Sequence, residues 1–426
     1  MAKKLLKEDS IPWIKREVSK MIEGKDCVSW GKIKLPAIHL VGKFPKGTAA
    51  DQRYVWINGE QIFLDEEFDY QSDEKWEYFS EPTPSWFKAS FGKSLSELTK
   101  LRSLKDFSSL KYMFYQYLNL KNFDFPNQDT SKCTDMNAMF YGCKNITSIN
   151  LSNWNVENVT DMGSLFSACE KLKDVNIDNW DTKNVKDFHS MFDGCKALST
   201  IDCKTLNTSN ATTLSYMFSN CWDIEELDLL GWNTSKVTTM SQMFNQCSRL
   251  KTIHGLSELQ TENLQYSSSM FSSCSSLESI DLSKWDVRNL KEAGSMFSNC
   301  SRLTTVDLSN WNIGNMTYIR NMFYYCNNLI TVNLSNWDFD NKLSDYDGMF
   351  SNCTSLTTII GPIHNLSLSF NLKDSPLTVD SAMVFINGII EKWKNQTLTF
   401  SSTTYDSLTP EQIAVGTAKG WSIVKS

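Results

Sequence analysis

Cysteine is the residue type in this chain with the most evident capacity for chemistry. There are twelve, enough for a metal centre, a disulfide framework or a nucleophile. Their spacing argues against all three. Nine of them, Cys143, Cys169, Cys195, Cys221, Cys247, Cys274, Cys300, Cys326 and Cys353, follow one another at intervals of 26 or 27 residues. A metal site needs ligands clustered as in a CxxC pair, and one thiol per interval offers none. Thiols in phase read instead as small apolar core residues, each stacked on the next. Cys27, Cys133 and Cys203 show no pairing pattern. If the thiols are free, a reducing assembly compartment fits better than export through an oxidising one. The four histidines (His39, His189, His254 and His364) are scattered, and no motif joins one to a nucleophile. No glycine-rich phosphate loop is present. The expectation is a protein without catalytic residues, without a cofactor and without a metal.

The thiols belong to a larger repeat. The element Met-Phe-x-x-Cys, or a close variant, recurs with its aromatic ring at Phe114, Phe140, Phe166, Phe192, Phe218, Phe244, Phe271, Phe297, Phe323 and Phe350. In the first unit Tyr117 takes the place of the cysteine. Three residues beyond each cysteine stands a Leu or Ile, and then a short alternating stretch such as Val175-Asn176-Ile177, Leu227-Asp228-Leu229 or Val306-Asp307-Leu308. Alternation with period two predicts a strand buried on one face. An aromatic follows at Trp154, Trp180, Trp232, Trp285, Trp311 and Trp337, with Leu206 once in that place. Each unit closes on apolar residues at helical spacing, as in Val159, Met162, Leu165 and Phe166. That spacing predicts one and a half to two turns of helix. One such unit buries too little surface to fold alone, so units must stack into a continuous core.

The predicted fold is therefore an α/β repeat solenoid, a leucine-rich-repeat-like stack of strand–turn–short-helix coils over residues 106–360. The stretches LSNWNVENVTDMGSLFSAC (151–169) and LSNWNIGNMTYIRNMFYYC (308–326) resemble the 26-residue repeats of BspA-like leucine-rich-repeat surface proteins, whose signature runs LxxLDLSNWDTSNVTDMxxMFxxC. The resemblance implies a role in adhesion or recognition, without naming a ligand.

The flanks lack the repeat. Residues 1–105 hold five tryptophans (Trp13, Trp30, Trp56, Trp76 and Trp86) and alternating runs such as YVWINGEQIFL. They read as a β-rich module, an anchor or a cap, with an opening amphipathic helix, an Asn58-Gly59 hairpin turn and a solvated acidic run from Asp65 to Glu77. Residues 361–426 read as a C-terminal α/β cap. It comprises a helix through Ser381 to Trp393 capped by Asp380 or Ser381, a strand at 397–400, a helix started by Thr409-Pro410-Glu411-Gln412 and ended at Gly420, and a last strand WSIV. The last coil needs such a cover over its apolar face and strand edge. The string LTPEQIAVGTAKGWSIV resembles the endings of repeat proteins of this kind from gut bacteria and their phages.

Two sets of surface residues are candidates for ligand contact. Seven residues beyond each in-phase cysteine from Cys143 to Cys326 lies a polar position: Asn150, Asn176, Asp202, Asp228, His254, Asp281, Asp307 and Asn333. It falls between two buried strand residues and should point outward. One reading is a polar stripe that meets a ligand. The other, favoured by its uniformity, is a ladder of carboxylates and carboxamides bonding to neighbouring coils. Specificity is better sought where the units differ. The strands vary at Lys173, Asp174, Glu225, Glu226, Lys251, Thr252, Glu278, Thr304 and Thr305, and Trp222, Tyr141, Tyr324 and Tyr325 stand beside the Phe or the cysteine. Aromatics among variable polar neighbours suit a protein or glycan ligand. The Asn-x-Ser/Thr triplets at Asn158, Asn233 and Asn315 read as by-products of the repeat.

Composition limits the partners further. The 426 residues are 41% hydrophobic and 12% aromatic, ample for a packed interior. A net charge of −7 argues against nucleic acid, whose phosphates require a cationic face. No apolar run is long enough to span a bilayer. The N-terminus shows no secretory signal, so the chain is expected in the bacterial cytoplasm until release. The functional expectation is a virion protein of a phage, a receptor-facing fibre or decoration that meets a host-cell surface, joined to other virion proteins by its N-terminal module. The alternative is a bacterial cell-surface adhesin. No heptads indicate an oligomeric state.

Overall fold

A 26-residue unit can satisfy its backbone only by sharing hydrogen bonds with the units before and after it. The computed structural model shows how this is done. It describes the backbone of three N-terminal strands and, from residue 104 onward, all residues except 105, 106, 118, 119, 125, 340, 341 and 392–395. The three strands, β1 (Ile38–Leu40), β2 (Arg53–Ile57) and β3 (Glu60–Leu64), form an antiparallel sheet in that order. Ile57 lies opposite Glu60, the strand register that the expected hairpin calls for, while residues 58 and 59 themselves lie outside the described residues. The expected opening helix and the acidic run lie outside the described residues.

From residue 104 the chain winds into a parallel solenoid. The strands are three residues long and stack in parallel groups. The first group is β4 (Asn122–Asp124), β5 (Ser148–Asn150) and β6 (Asp174–Asn176). The second pairs β7 (Glu226–Asp228) with β8 (Thr252–His254). The third joins β9 (Thr305–Asp307) to β10 (Thr331–Asn333) and, beyond the two-residue β11 (Trp337–Asp338), to β12 (Thr358–Ile360). The coils around Ile201 and Ile280 form no strand, which interrupts the sheet twice. A second column is continuous: nine successive parallel bridges link Ser109, Asp135, Asp161, Asp187, Thr213, Thr239, Tyr266, Glu292, Tyr318 and Asp345.

The Met-Phe segments correct one expectation. In place of the short helix, each coil chains tight turns. In the unit around Phe166, Leu165, Ser167 and Cys169 donate to the carbonyls of Met162, Ser164 and Phe166, three residues back. The intervening amides of Met162, Ser164, Phe166 and Ala168 donate to Asp187, His189, Met191 and Asp193 of the next coil. Ser164 and Ala168 have φ of 55° and 57°, which a helix does not allow. The corresponding positions of the other coils are also left-handed, from Tyr112 and Gln116 to Gly348 and Asn352. A spacing of three is common to a helix and to chained turns, so periodicity alone could not separate them.

Inside, like stacks on like. Successive rings from Phe114 to Phe350 lie 5.1–6.0 Å apart with interplanar angles of 1–22°. Each such pair contributes about 0.5–1.5 kcal/mol beyond its burial. The indole N–H groups of Trp180, Trp232, Trp285 and Trp337 donate to the carbonyls of Leu151, Cys203, Leu256 and Leu308 one coil back. The Asn158 and Asn315 side chains donate to the carbonyls of Ser131 and Arg288, so those asparagines hold neighbouring coils together.

The last coil is closed by helix α1 (Val379–Gly388). Its N-cap is Thr378, two or three residues earlier than the expected Asp380 or Ser381, because the Thr378 hydroxyl accepts the Ser381 amide. That frees the Ser381 hydroxyl to accept the amide of Ile359 in β12, an edge donor that a further coil would otherwise satisfy. Beyond the short β13 (Ile363–His364), paired with β11, come β14 (Phe370–Leu372), β15 (Gln396–Phe400), α2 (Ser402–Asp406), α3 (Pro410–Thr417) and β16 (Trp421–Lys425). Strands β14, β15 and β16 pair in parallel. Thr409 and Gln412 form the reciprocal capping box at the start of α3, with Pro410 as its first residue.

Candidate binding surface

The nine in-phase thiols are wholly buried. Each also has a bonding role that the sequence did not reveal. Cys143 donates to the carbonyl of Phe114 at 3.0 Å, Cys169 to that of Phe140 at 3.1 Å, and the pattern continues to Cys353 and Phe323 at 3.0 Å. Burial pushes the thiols of Cys247 and Cys326 up to about 12, and those of Cys133 and Cys203 as far. A thiol held so far from ionisation is a poor nucleophile. Among the described residues no group of three or more His, Cys, Asp or Glu is placed to hold a metal ion.

The Asn or Asp seven beyond a cysteine makes a local bond rather than a ladder. Side-chain oxygens of Asp202, Asp228, Asp281 and Asp307 accept the amides of Lys204, Leu230, Ser283 and Ser309, two residues on. These Asx turns bend the chain at the end of β7 and β9 and at the same place in the two coils without a strand. Bonds between coils are added in places: Asn150 donates to Asp124 at 2.7 Å, and Lys204 pairs with Asp228 at 2.7 Å. The Lys204 ammonium is the main reason that the Asp228 carboxyl sits below its usual range. For Asp281 the chief cause is the Ser283 hydroxyl. Glu225 is lowered first by Lys251, at 2.7 Å, with Arg249 also in contact at 2.9 Å.

Some of the candidate residues line two open grooves, and the others lie outside both. One, of about 1140 Å³, lies over the strand face from β4 to β8 and crosses the unpaired coil at Ile201. Asp202, Asp228 and His254 line it, together with Lys173, Asp174 and Glu226. Asp124 and Asp178 add to its acidic character. Asp281 and Asp307 are exposed further along and line neither groove, and Glu225 and Lys251 are paired with each other outside both.

The second groove, of about 580 Å³, runs beside the cysteine column. Trp222 and Tyr325 stand in it at 42% and 41% exposure, and Tyr324 packs edge-on against Tyr325 at 4.5 Å. Burial raises the Tyr324 phenol above its usual range. Tyr141 stacks on Tyr115 at 4.9 Å, away from this groove. Sequence reading missed most of its lining: Gln246, Ser273 and Asn299 just before the cysteines, and Ser248, Ser275, Ser301 and Asn327 just after them. The signal was available in the two columns that flank the thiols, which change character halfway along the chain.

This architecture defines a repeat solenoid of leucine-rich-repeat type. The chain belongs to the family described as "Mycoplasma protein of unknown function, DUF285", which matches it in overlapping stretches at 108–226, 168–280, 212–331 and 251–363. Among solved structures it is similar to a leucine rich cell surface protein from Faecalibacterium prausnitzii A2-165, at 14% identity over 57% of this chain and 79% of that one, with a TM-score of 0.26. It is also similar to a leucine-rich-repeat protein of Leptospira interrogans, at 12% identity over 78% and 98% of the two chains, with a TM-score of 0.24. A chain of the TLR13-ssRNA13 complex matches at 17% identity over 70% and 38%, with a TM-score of 0.28. The curated proteins contain no match. No helix among the described residues is long and apolar enough to cross a membrane.

Proposed function

We infer that the chain is a non-enzymatic recognition protein whose solenoid presents a binding surface on the outside of a virion or a bacterial cell. The observation that carries this reading is a division of labour between columns. Interior columns repeat the same Phe and Cys from coil to coil, whereas each open groove is lined by a column that changes from coil to coil, Ser148, Asp174, Thr200 and Glu226 in one and Gln246, Ser273, Asn299 and Tyr325 in the other. Stacking requires the first property and does not require the second. Buried thiols held protonated support a binding role over a catalytic one.

Within that reading, the virion of a phage is supported by the eleven described cysteines, all free and all buried, as in a protein assembled in a reducing cytoplasm. The resemblance to BspA-like surface repeats supports the alternative, a bacterial adhesin. The partner in either case is a protein or glycan on a cell surface. Binding of the fluorescently labelled full chain to bacterial and host cells tests recognition itself, and a chain that adheres to neither sinks it. Mass spectrometry decides the location. Peptides at stoichiometric copy number in purified phage particles establish the virion; recovery from bacterial envelopes alone leaves the adhesin.

A further inference from the structure

The column just after the cysteines has two distinct halves. In the earlier coils it carries Lys144, Glu170 and Lys196, joined into an ion-pair ladder with contacts of 2.9 and 3.1 Å. From Trp222 onward it is uncharged, with Ser248, Ser275, Ser301 and Asn327. The column just before the cysteines changes at the same level. It holds Gly142, Ala168 and Gly194 early, and Gln246, Ser273, Asn299 and Tyr325 later. The buried Phe and Cys columns are the same in both halves, so packing does not demand the change.

What results is a groove with no charged residue in its lining, on a chain of net charge −7. It contains the amides and hydroxyls that donate and accept hydrogen bonds without a charge. Its two aromatic residues are four coils apart, a distance of about 19 Å at a strand spacing of ~4.8 Å. Lys196 fixes the Trp222 ring from one side, with its Nζ 4.7 Å from the ring centroid and in contact with Glu170. Tyr325 has φ of 59°, a conformation that glycine or asparagine takes at less cost. The other coils place Gln246, Ser273 and Asn299 at this left-handed position, so the ring of Tyr325 is an addition of its own coil and stands half-exposed in the groove.

We propose that this groove binds a neutral oligosaccharide laid along the solenoid axis, with sugar rings against Trp222 and Tyr325. Pyranose rings offer an apolar C–H face to an aromatic ring and a rim of hydroxyls to serine, asparagine and glutamine side chains. No ion pair is needed. The proposal rests on the recognition reading and supplies a ligand class and a site for it.

The test is titration calorimetry of the full chain with maltotetraose, cellotetraose, mannotetraose and chitotetraose, alongside polygalacturonate as the acidic counterpart and a serine-rich peptide. The expected result is binding of a neutral tetrasaccharide that is unchanged by salt and is weakened about tenfold or more in both Trp222→Ala and Tyr325→Ala. Both side chains are exposed, so the variants should melt with the parent, which thermal unfolding verifies. The proposal is overturned if none of the four tetrasaccharides binds, if neither substitution weakens binding, or if only polygalacturonate or the peptide binds. Cell binding retained by both variants while sugar binding is lost moves recognition of that cell to another face and leaves the sugar site standing.

Discussion

The thiol of Cys195 donates to the carbonyl of Phe166 at 3.2 Å, across 29 residues of chain. The same oxygen accepts the amide of Cys169 within its own coil. One carbonyl therefore closes a turn and binds the next coil, and the cysteine serves there both by its size and by its donor. Cys195→Ala is expected to destabilise the chain by about 1–2 kcal/mol, from a small void and a lost bond. Urea unfolding measures this. An unchanged midpoint would show that neither the filled volume nor the bond of the thiol contributes to stability.

Alkaline pH should unfold the protein early. Cys133, Cys203, Cys247 and Cys326 move from an ordinary value of 9.0 to about 12 on folding. Between those values the native state keeps protons that the unfolded chain has released, so stability is full below about pH 9 and falls as pH rises towards 12. Each such thiol contributes about 1.4 kcal/mol per pH unit to the slope. Urea midpoints at about pH 8 and about pH 10 should differ accordingly, and Cys247→Ala should flatten the dependence. Equal midpoints at the two values would count against the shifts.

Two tryptophans in adjacent coils offer an internal control. Trp285 and Trp311 stack at 6.4 Å with planes 3° apart, and both are buried. Trp285 donates its indole N–H to the carbonyl of Leu256 at 3.0 Å, whereas the Trp311 Nε1 is buried with no partner. Replacement by phenylalanine removes similar apolar volume at both sites. Trp285→Phe should therefore cost about 1 kcal/mol more than Trp311→Phe. Equal losses in chemical unfolding would mean that the Trp311 indole finds a partner in solution.

Much of the fold was legible because a solenoid repeats its packing problem in every coil. The period of the Phe and Cys columns named the stack, the Val-Asp-Leu alternations named the strands, and Thr409-Pro410 with Gln412 named the last helix start. These are local or strictly periodic properties, which a one-dimensional string records. The turn segments around Ser164 and Ala168 were not legible, since neither residue type signals a left-handed backbone. Their conformation is stabilised by amides that bond one coil away.

The sequence by itself determined the coil period, the buried columns and the kinds of residue left on the surface. Only the tertiary structure decided which of those surface residues meet. Asp228 was bound to Lys204, Glu225 to Lys251, and Trp222 was brought into one groove with Tyr325 although 103 positions separate them in the numbering. The reason is physical. A position along the chain fixes a residue's column, but its neighbours across columns depend on the pitch and the turns of the stacked coils, which exist only once all the coils have folded.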